Sequence, residues 1–195
     1  MEFVFLYSEF QEPVYTQLDV LDYVYRKDGQ KSSKSNFFNN PNEYLSKFSK
    51  FTNVADIYIA GHFHAKDSPP FFTKKEAKSE GFKIKVVADI SCDINGPIAC
   101  TIRPSTIEDP LYGYNPKMEK EVDFQDLNAI AVMAVDNLPC ELPRDSSEGF
   151  AESFIKKILP SFFNGDKDGI LKRSKMTENG SLTTNFMYLQ KYVDY

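Results

Sequence analysis

A chain of 195 residues, 42% hydrophobic and 26% charged, has the length and make-up to enclose one sizeable core, removing roughly 70% of its unfolded surface from water. A net charge of -5 argues against a protein that neutralises phosphates, so nucleic acid is not an expected partner. No apolar run approaches the roughly 20 residues that span a bilayer, and a membrane is not expected either.

The opening run Met1 to Tyr7 is too short for a signal peptide and lacks its basic flank, which points to a cytosolic protein. Cys92, Cys100 and Cys140 form no C-x-x-C pair and are read as reduced thiols. The polar stretch Lys27 to Asn40 reads as a mobile loop. Next, Asn40 as cap, Pro41 at the first helical position and Glu43 three after the cap predict a helix carrying Tyr44, Leu45, Phe48 and Phe51 on one side.

Three short apolar runs read as strands: Ile57 to Ala60, Ile84 to Ala88 and Ala129 to Val135. The last two are nearly continuous in Val, Ile and Ala, as in inner strands covered on both faces. A capping box at Thr73 to Glu76 starts a helix between the first two. Alternating strands and helices imply parallel pairing through right-handed crossovers, an open α/β sheet. After Pro143 the pattern is helical only, with Phe150, Phe154, Ile155, Ile158 and Leu159 on one face and Leu182, Phe186, Leu189 and Val193 on another. Asn179-Gly180-Ser181 matches a glycosylation acceptor but is read as surface loop.

Ligands of open α/β sheets bind beyond the carboxyl ends of the strands. The residues there are Gly61-His62-Phe63-His64, Asp89-Ile90-Ser91-Cys92-Asp93 and Asp136-Asn137-Leu138-Pro139. Asp and Ser also end strands by bonding their own backbone, and that alternative stands beside the functional one. His62 and His64, two apart on an extended segment, could face one metal. No third ligand accompanies them, so no metal is assigned and a cleft-lining or structural role is expected. Asn164, Asp166, Asp168 and Gly169 fit the start of a calcium loop, but Lys175 stands where the bidentate Glu belongs, which leaves a solvated turn. Arg144 with Asp145, Ser146 and Ser147 reads as a helix cap before an anion site.

Several motifs in one order resemble the NAD-dependent, lysine-forming saccharopine dehydrogenases and their alanine dehydrogenase relatives. They are Val86-Val87-Ala88-Asp89-Ile90-Ser91-Cys92-Asp93 with Gly96-Pro97-Ile98, then Ser105-Thr106-Ile107-Glu108-Asp109-Pro110, then Ala134-Val135-Asp136-Asn137-Leu138-Pro139-Cys140-Glu141-Leu142-Pro143-Arg144-Asp145-Ser146-Ser147. Together they span most of residues 40 to 195. The resemblance implies a two-domain α/β enzyme with NAD in the cleft, oxidising saccharopine to lysine and 2-oxoglutarate. It implies backbone contacts to the cofactor at Val135, Asp136, Asn137 and Leu138, and it places Gly61 where fungal members carry Cys at a strand end. Asn137 stands where the fungal pattern has His.

No G-x-G-x-x-G follows a strand here, although such a turn binds pyrophosphate in these enzymes. In the resembled family that turn, and the Lys and His that act as base and acid, lie in an earlier half, so no catalytic residue is assigned. The expectation is a Rossmann-like open parallel sheet lacking its first strands and Gly-rich turn, with residues 1-145 a partial NAD-binding domain. Residues 146-195 are a helical tail returning to the substrate domain. The expected partners are an amino-acid substrate and the N-terminal half of the same enzyme. Alanine dehydrogenase-type activity, or a non-catalytic binding module that kept the fold, remain open alternatives.

Overall fold

A computed structural model describes residues 11–65 and 67–193. Met1 to Tyr7, read above as unlike a signal peptide, lie outside the described residues. The chain divides into two units, one ending at Leu138 and the other beginning at Pro139.

The first unit opens with α1 (Val20–Tyr23), β1 (Val24–Arg26) and α2 (Lys34–Asn39). The segment read as a loop thus contains a helix, started by the Ser33 side chain accepting from the Asn36 N–H at 3.2 Å. The helix expected from Asn40 to Phe51 is broken into three pieces: a 3-10 turn at Pro41–Glu43, strand β2 (Tyr44–Ser46) and helix α3 (Ser49–Thr52). Burial explains the break. Tyr44 packs into a small cluster with Val24 and Phe37, while Phe48 enters the main core. Antiparallel pairing of Val24–Arg26 with Tyr44–Ser46 fixes that arrangement, so tertiary packing overrides helical spacing.

The central sheet holds β3 (Ile57–Ala60), β4 (Val86–Asp89), β5 (Leu111–Asn115), β6 (Lys120–Val122) and β7 (Ile130–Met133), in the order β3-β4-β7-β5-β6. The three expected strands are present and parallel, with Ile57 opposite Val86 and Val86 opposite Ala131. The fold is α/β, as expected, but the sheet is mixed rather than all parallel. The connection from β4 to β7 carries the antiparallel hairpin β5–β6 where a helix was expected. In β5, Tyr112 and Tyr114 are buried in the main core, with Gly113 between them. The helix α4 (Lys74–Ala77) does link β3 to β4, with the Glu76 carboxylate accepting from the Thr73 N–H at 2.8 Å.

β4 and β7 are inner strands, yet among the described residues one sheet face is buried more fully than the other. Val87, Val132, Tyr112 and Tyr114 are buried on that face with Phe48, Phe72, Ile84 and Ile98. On the other face Ile57 and Ile59 are 61% and 66% exposed.

The second unit contains α5 (Pro143–Lys157), α6 (Ile170–Ser174), a hairpin of β8 (Thr177–Glu178) and β9 (Ser181–Leu182), and a 3-10 run at Thr184–Tyr192. The helical-only expectation is corrected at the β8–β9 hairpin alone. Asn179 and Gly180, both at positive φ (50° and 80°), form the hairpin turn, the conformation Asn-Gly favours. The last run is 3-10 rather than α-helical. Leu142 occupies the N-cap of α5 with no side-chain bond, so the expected Arg144–Ser147 cap does not form. Among the described residues, no buried apolar side chain lies in this unit. No described helix is long and apolar enough to cross a membrane.

A Cβ on Gly113 in β5 would stand 2.4 Å from the Asp123 carbonyl oxygen, whereas one on Gly61 would meet nothing within 4 Å. Gly113→Ala is expected to lose about 1–3 kcal/mol in urea unfolding, the range for overpacking. Gly61→Ala should leave the midpoint unchanged.

Candidate functional site

Parallel β3, β4 and β7 deliver three loops to one edge of the sheet. Gly61 follows β3, Ile90 to Asp93 follow β4, and Ala134 to Leu138 follow β7. With strands about 4.8 Å apart, Gly61 and Val135 flank the β4 ending at roughly 10 Å from each other.

The β4 ending is organised by Asp89, which is fully buried. One carboxylate oxygen accepts from the Ser91 N–H and the Cys92 N–H, each at 3.1 Å, and from the Ser91 hydroxyl. The other accepts from the Thr101 hydroxyl at 2.7 Å. A buried carboxylate is tolerated when its lone pairs are filled in this way. The tight turn puts Cys92 at φ 53° and its thiol against the Asp89 carbonyl oxygen at 3.1 Å. Burial, then the charges of Asp89, Asp136 and Asp93, push the Cys92 thiol above its ordinary range. It is kept protonated and is not a poised nucleophile.

The β7 ending is held from the other side. Ser105 bridges to Val135, its N–H donating to the Ala134 carbonyl at 2.9 Å while its hydroxyl accepts from the Ala134 N–H at 2.8 Å. Val135 is therefore buried, Asp136 and Asn137 are exposed in the turn, and Leu138 opens a 3-10 turn through Cys140. Gly61 is exposed, with open space above it. All five residues singled out from the sequence thus lie at the same edge. Thr101 and Ser105, which lock the two loops, carried no periodic signal. Ser105 was visible only inside a motif.

His62 packs its ring 4.2 Å from that of Phe71 and 6.2 Å from that of His64. Burial lowers its pKa, Asp89 and Asp93 oppose that, and His64 adds to it. His64 is lowered by burial, with Asp93 opposing. Among the described residues, no three His, Cys, Asp or Glu are placed to hold a metal ion. At the calcium-like segment, the Asp166 carboxylate accepts from the Leu171 and Lys172 N–H groups at 3.0 and 2.9 Å, which makes it the start of α6.

No protein-family model matches the chain. Curated relatives do. Over 178 residues, 87% of this chain, it is 26% identical to the alpha-aminoadipic semialdehyde synthase of Arabidopsis thaliana. It is 26% identical over 179 residues to the mitochondrial alpha-aminoadipic semialdehyde synthase of Mus musculus. To the saccharopine dehydrogenase (NAD(+), L-lysine-forming) of Schizosaccharomyces pombe it is 30% identical over 118 residues, 56% of this chain. The chain is homologous to both kinds of protein, as the motifs indicate. It spans 17%, 19% and 29% of those three relatives.

Thr101→Val removes one hydrogen bond to the Asp89 carboxylate at nearly constant volume, and is expected to lower stability by about 1.5–3 kcal/mol in urea unfolding. The lowered His62 and His64 pKa values carry a second consequence. Their folded forms resist protonation while the unfolded chain takes up protons below its value near 6.5. Stability should be full above that pH and fall as pH drops through it, before any carboxylate protonates. His62→Gln should flatten this slope between pH 5 and 6.5, read as urea midpoints.

Proposed function

We propose that this chain is the part of an NAD-dependent amino-acid dehydrogenase that contacts the nucleotide through Gly61, Val135, Asp136, Asn137 and Leu138. The substrate on this reading is saccharopine, oxidised to lysine and 2-oxoglutarate. The observation that carries the proposal is the convergence of three parallel strand ends on one edge, with the loops after β4 and β7 held by buried hydrogen bonds. The names of the relatives support both the cofactor and the amino-acid substrate.

The groups at that edge suit part of the cofactor. Backbone groups near Val135 and the carboxylates of Asp93 and Asp136 match ribose hydroxyls and an amide, which are neutral. They do not match a pyrophosphate, which needs free N–H groups at a Gly-rich helix start. We assign the pyrophosphate to polypeptide corresponding to the rest of the relatives' length. When bound, NAD would supply the hydride acceptor for the carbon bearing the secondary amine of saccharopine. This chain's residues would orient the nucleotide, with the buried Asp89 and Ser105 networks keeping the loops fixed before it arrives.

The less buried sheet face and the second unit's exposed Phe150 and Phe163, 71% and 84% accessible, support a complementary protein half as partner. The chain alone is expected to be inactive, because it supplies no assigned acid–base pair.

Calorimetric titration with NADH tests this, on the chain alone and mixed with a polypeptide carrying the remainder of the fission-yeast relative. Binding to the chain or to the mixture is expected, with saccharopine-dependent NADH formation only in the mixture. Failure to bind in both, with folding verified by circular dichroism, would replace this reading with a non-catalytic module.

A further inference from the structure

Both ring nitrogens of His62 are closed off from water and have no hydrogen-bond partner. They belong to the first residue past Gly61, at the edge where β3 and β4 end. Unpaired buried nitrogens are uncommon in folded proteins, and each calls for a physical reason, of which a functional role is one.

The chemistry of the ring narrows what that group is. A neutral imidazole presents one N–H donor and one lone pair, pointing to opposite sides of the ring. A phosphate or carboxylate offers acceptors alone and would bring negative charge towards Asp89 and Asp93, which act on His62 electrostatically. An ammonium offers donors alone. A neutral molecule with a donor and an acceptor a ring's breadth apart satisfies both nitrogens. A reduced nicotinamide riboside, whose dihydropyridine ring is neutral, has that arrangement, with its carboxamide at one end and ribose hydroxyls at the other.

We propose that His62 is the residue that binds the nicotinamide riboside half of the nucleotide, one ring nitrogen pairing with the carboxamide and the other with a ribose hydroxyl. The inference rests on the reading that a nicotinamide nucleotide occupies this edge. Binding requires the imidazole to turn out from against Phe71, 4.2 Å away. The neighbouring segment leaves room for that movement. A Cβ on Gly61 would touch nothing within 4 Å, and Phe63 is 93% exposed.

The chain has two histidines, so carbon-13 labelling at Cε1 gives two resonances, assigned with His64→Gln. The full chain is titrated with NADH, with reduced nicotinamide mononucleotide and with ADP-ribose, to millimolar concentration. NADH and the mononucleotide should move the His62 resonance along the calorimetric isotherm, and ADP-ribose should leave it in place. His62→Phe, which keeps a ring against Phe71, should weaken NADH and the mononucleotide about ten- to a hundredfold without affecting ADP-ribose. His62→Gln, with a donor and an acceptor, should regain most of that loss. If NADH binds while the wild-type His62 resonance stays still, His62 is a packing residue and this inference alone falls. An equal response to ADP-ribose would overturn the assignment to the nicotinamide end. If no nucleotide binds or moves either resonance, in the chain alone or in the chain mixed with the remainder of the fission-yeast relative, the functional reading falls with it.

Discussion

The carboxylate of Asp89 is the constraint on which the candidate site depends. It sits fully buried at the end of an inner strand, and its acceptor positions are filled by Ser91, Cys92 and Thr101. Because a buried carboxylate without those donors would be strongly disfavoured, the loop after β4 has one arrangement rather than several. That arrangement turns the chain sharply at Cys92, whose φ is 53°, and draws Thr101 back beneath the strand end. From Thr101 the chain reaches Ser105, which ties down the end of β7. Two loops of the candidate site are in this way held by side chains buried beneath them.

The sheet shows a second asymmetry. One face buries a continuous core, while the other leaves Ile57, Ile59 and Val86 in contact with water. The second unit, taken by itself, buries no apolar side chain among its described residues. Chains of parallel sheets normally cover both faces, because their strands are apolar on both sides. The chain spans 17% of the plant relative and 29% of the fission-yeast one.

What could be read in advance followed burial. β4 and β7 were legible because these inner strands keep Val, Ile and Ala in unbroken runs. The capping box at Thr73 was legible because it is a local hydrogen-bond exchange with a fixed spacing. The hairpin of β5 and β6 was not, since Gly113 and Asn115 interrupt the apolar signal. Gly113 is there because Asp123 passes too close for any side chain. The spacing of Tyr44, Leu45, Phe48 and Phe51 misled for another reason: Tyr44 serves the core around Val24, Phe48 and Phe51 serve the core around Val87, and Leu45 is exposed, so they share no helix face. At the site, the strand ends were visible as polar endings, but Thr101 was not. Its role comes from a contact 12 residues away in sequence, which no local pattern encodes. The unpaired state of His62 was equally invisible, being a property of what surrounds the ring.

The most direct measurement of the central claim is amide hydrogen exchange of the whole chain with and without NADH. The account predicts that protection rises together in the loops after β3, β4 and β7, at residues 61–65, 90–95 and 134–138, and stays level at the amino ends of those strands. Protection confined to one loop, or found at the opposite edge of the sheet, would contradict a nucleotide site built from the three strand ends.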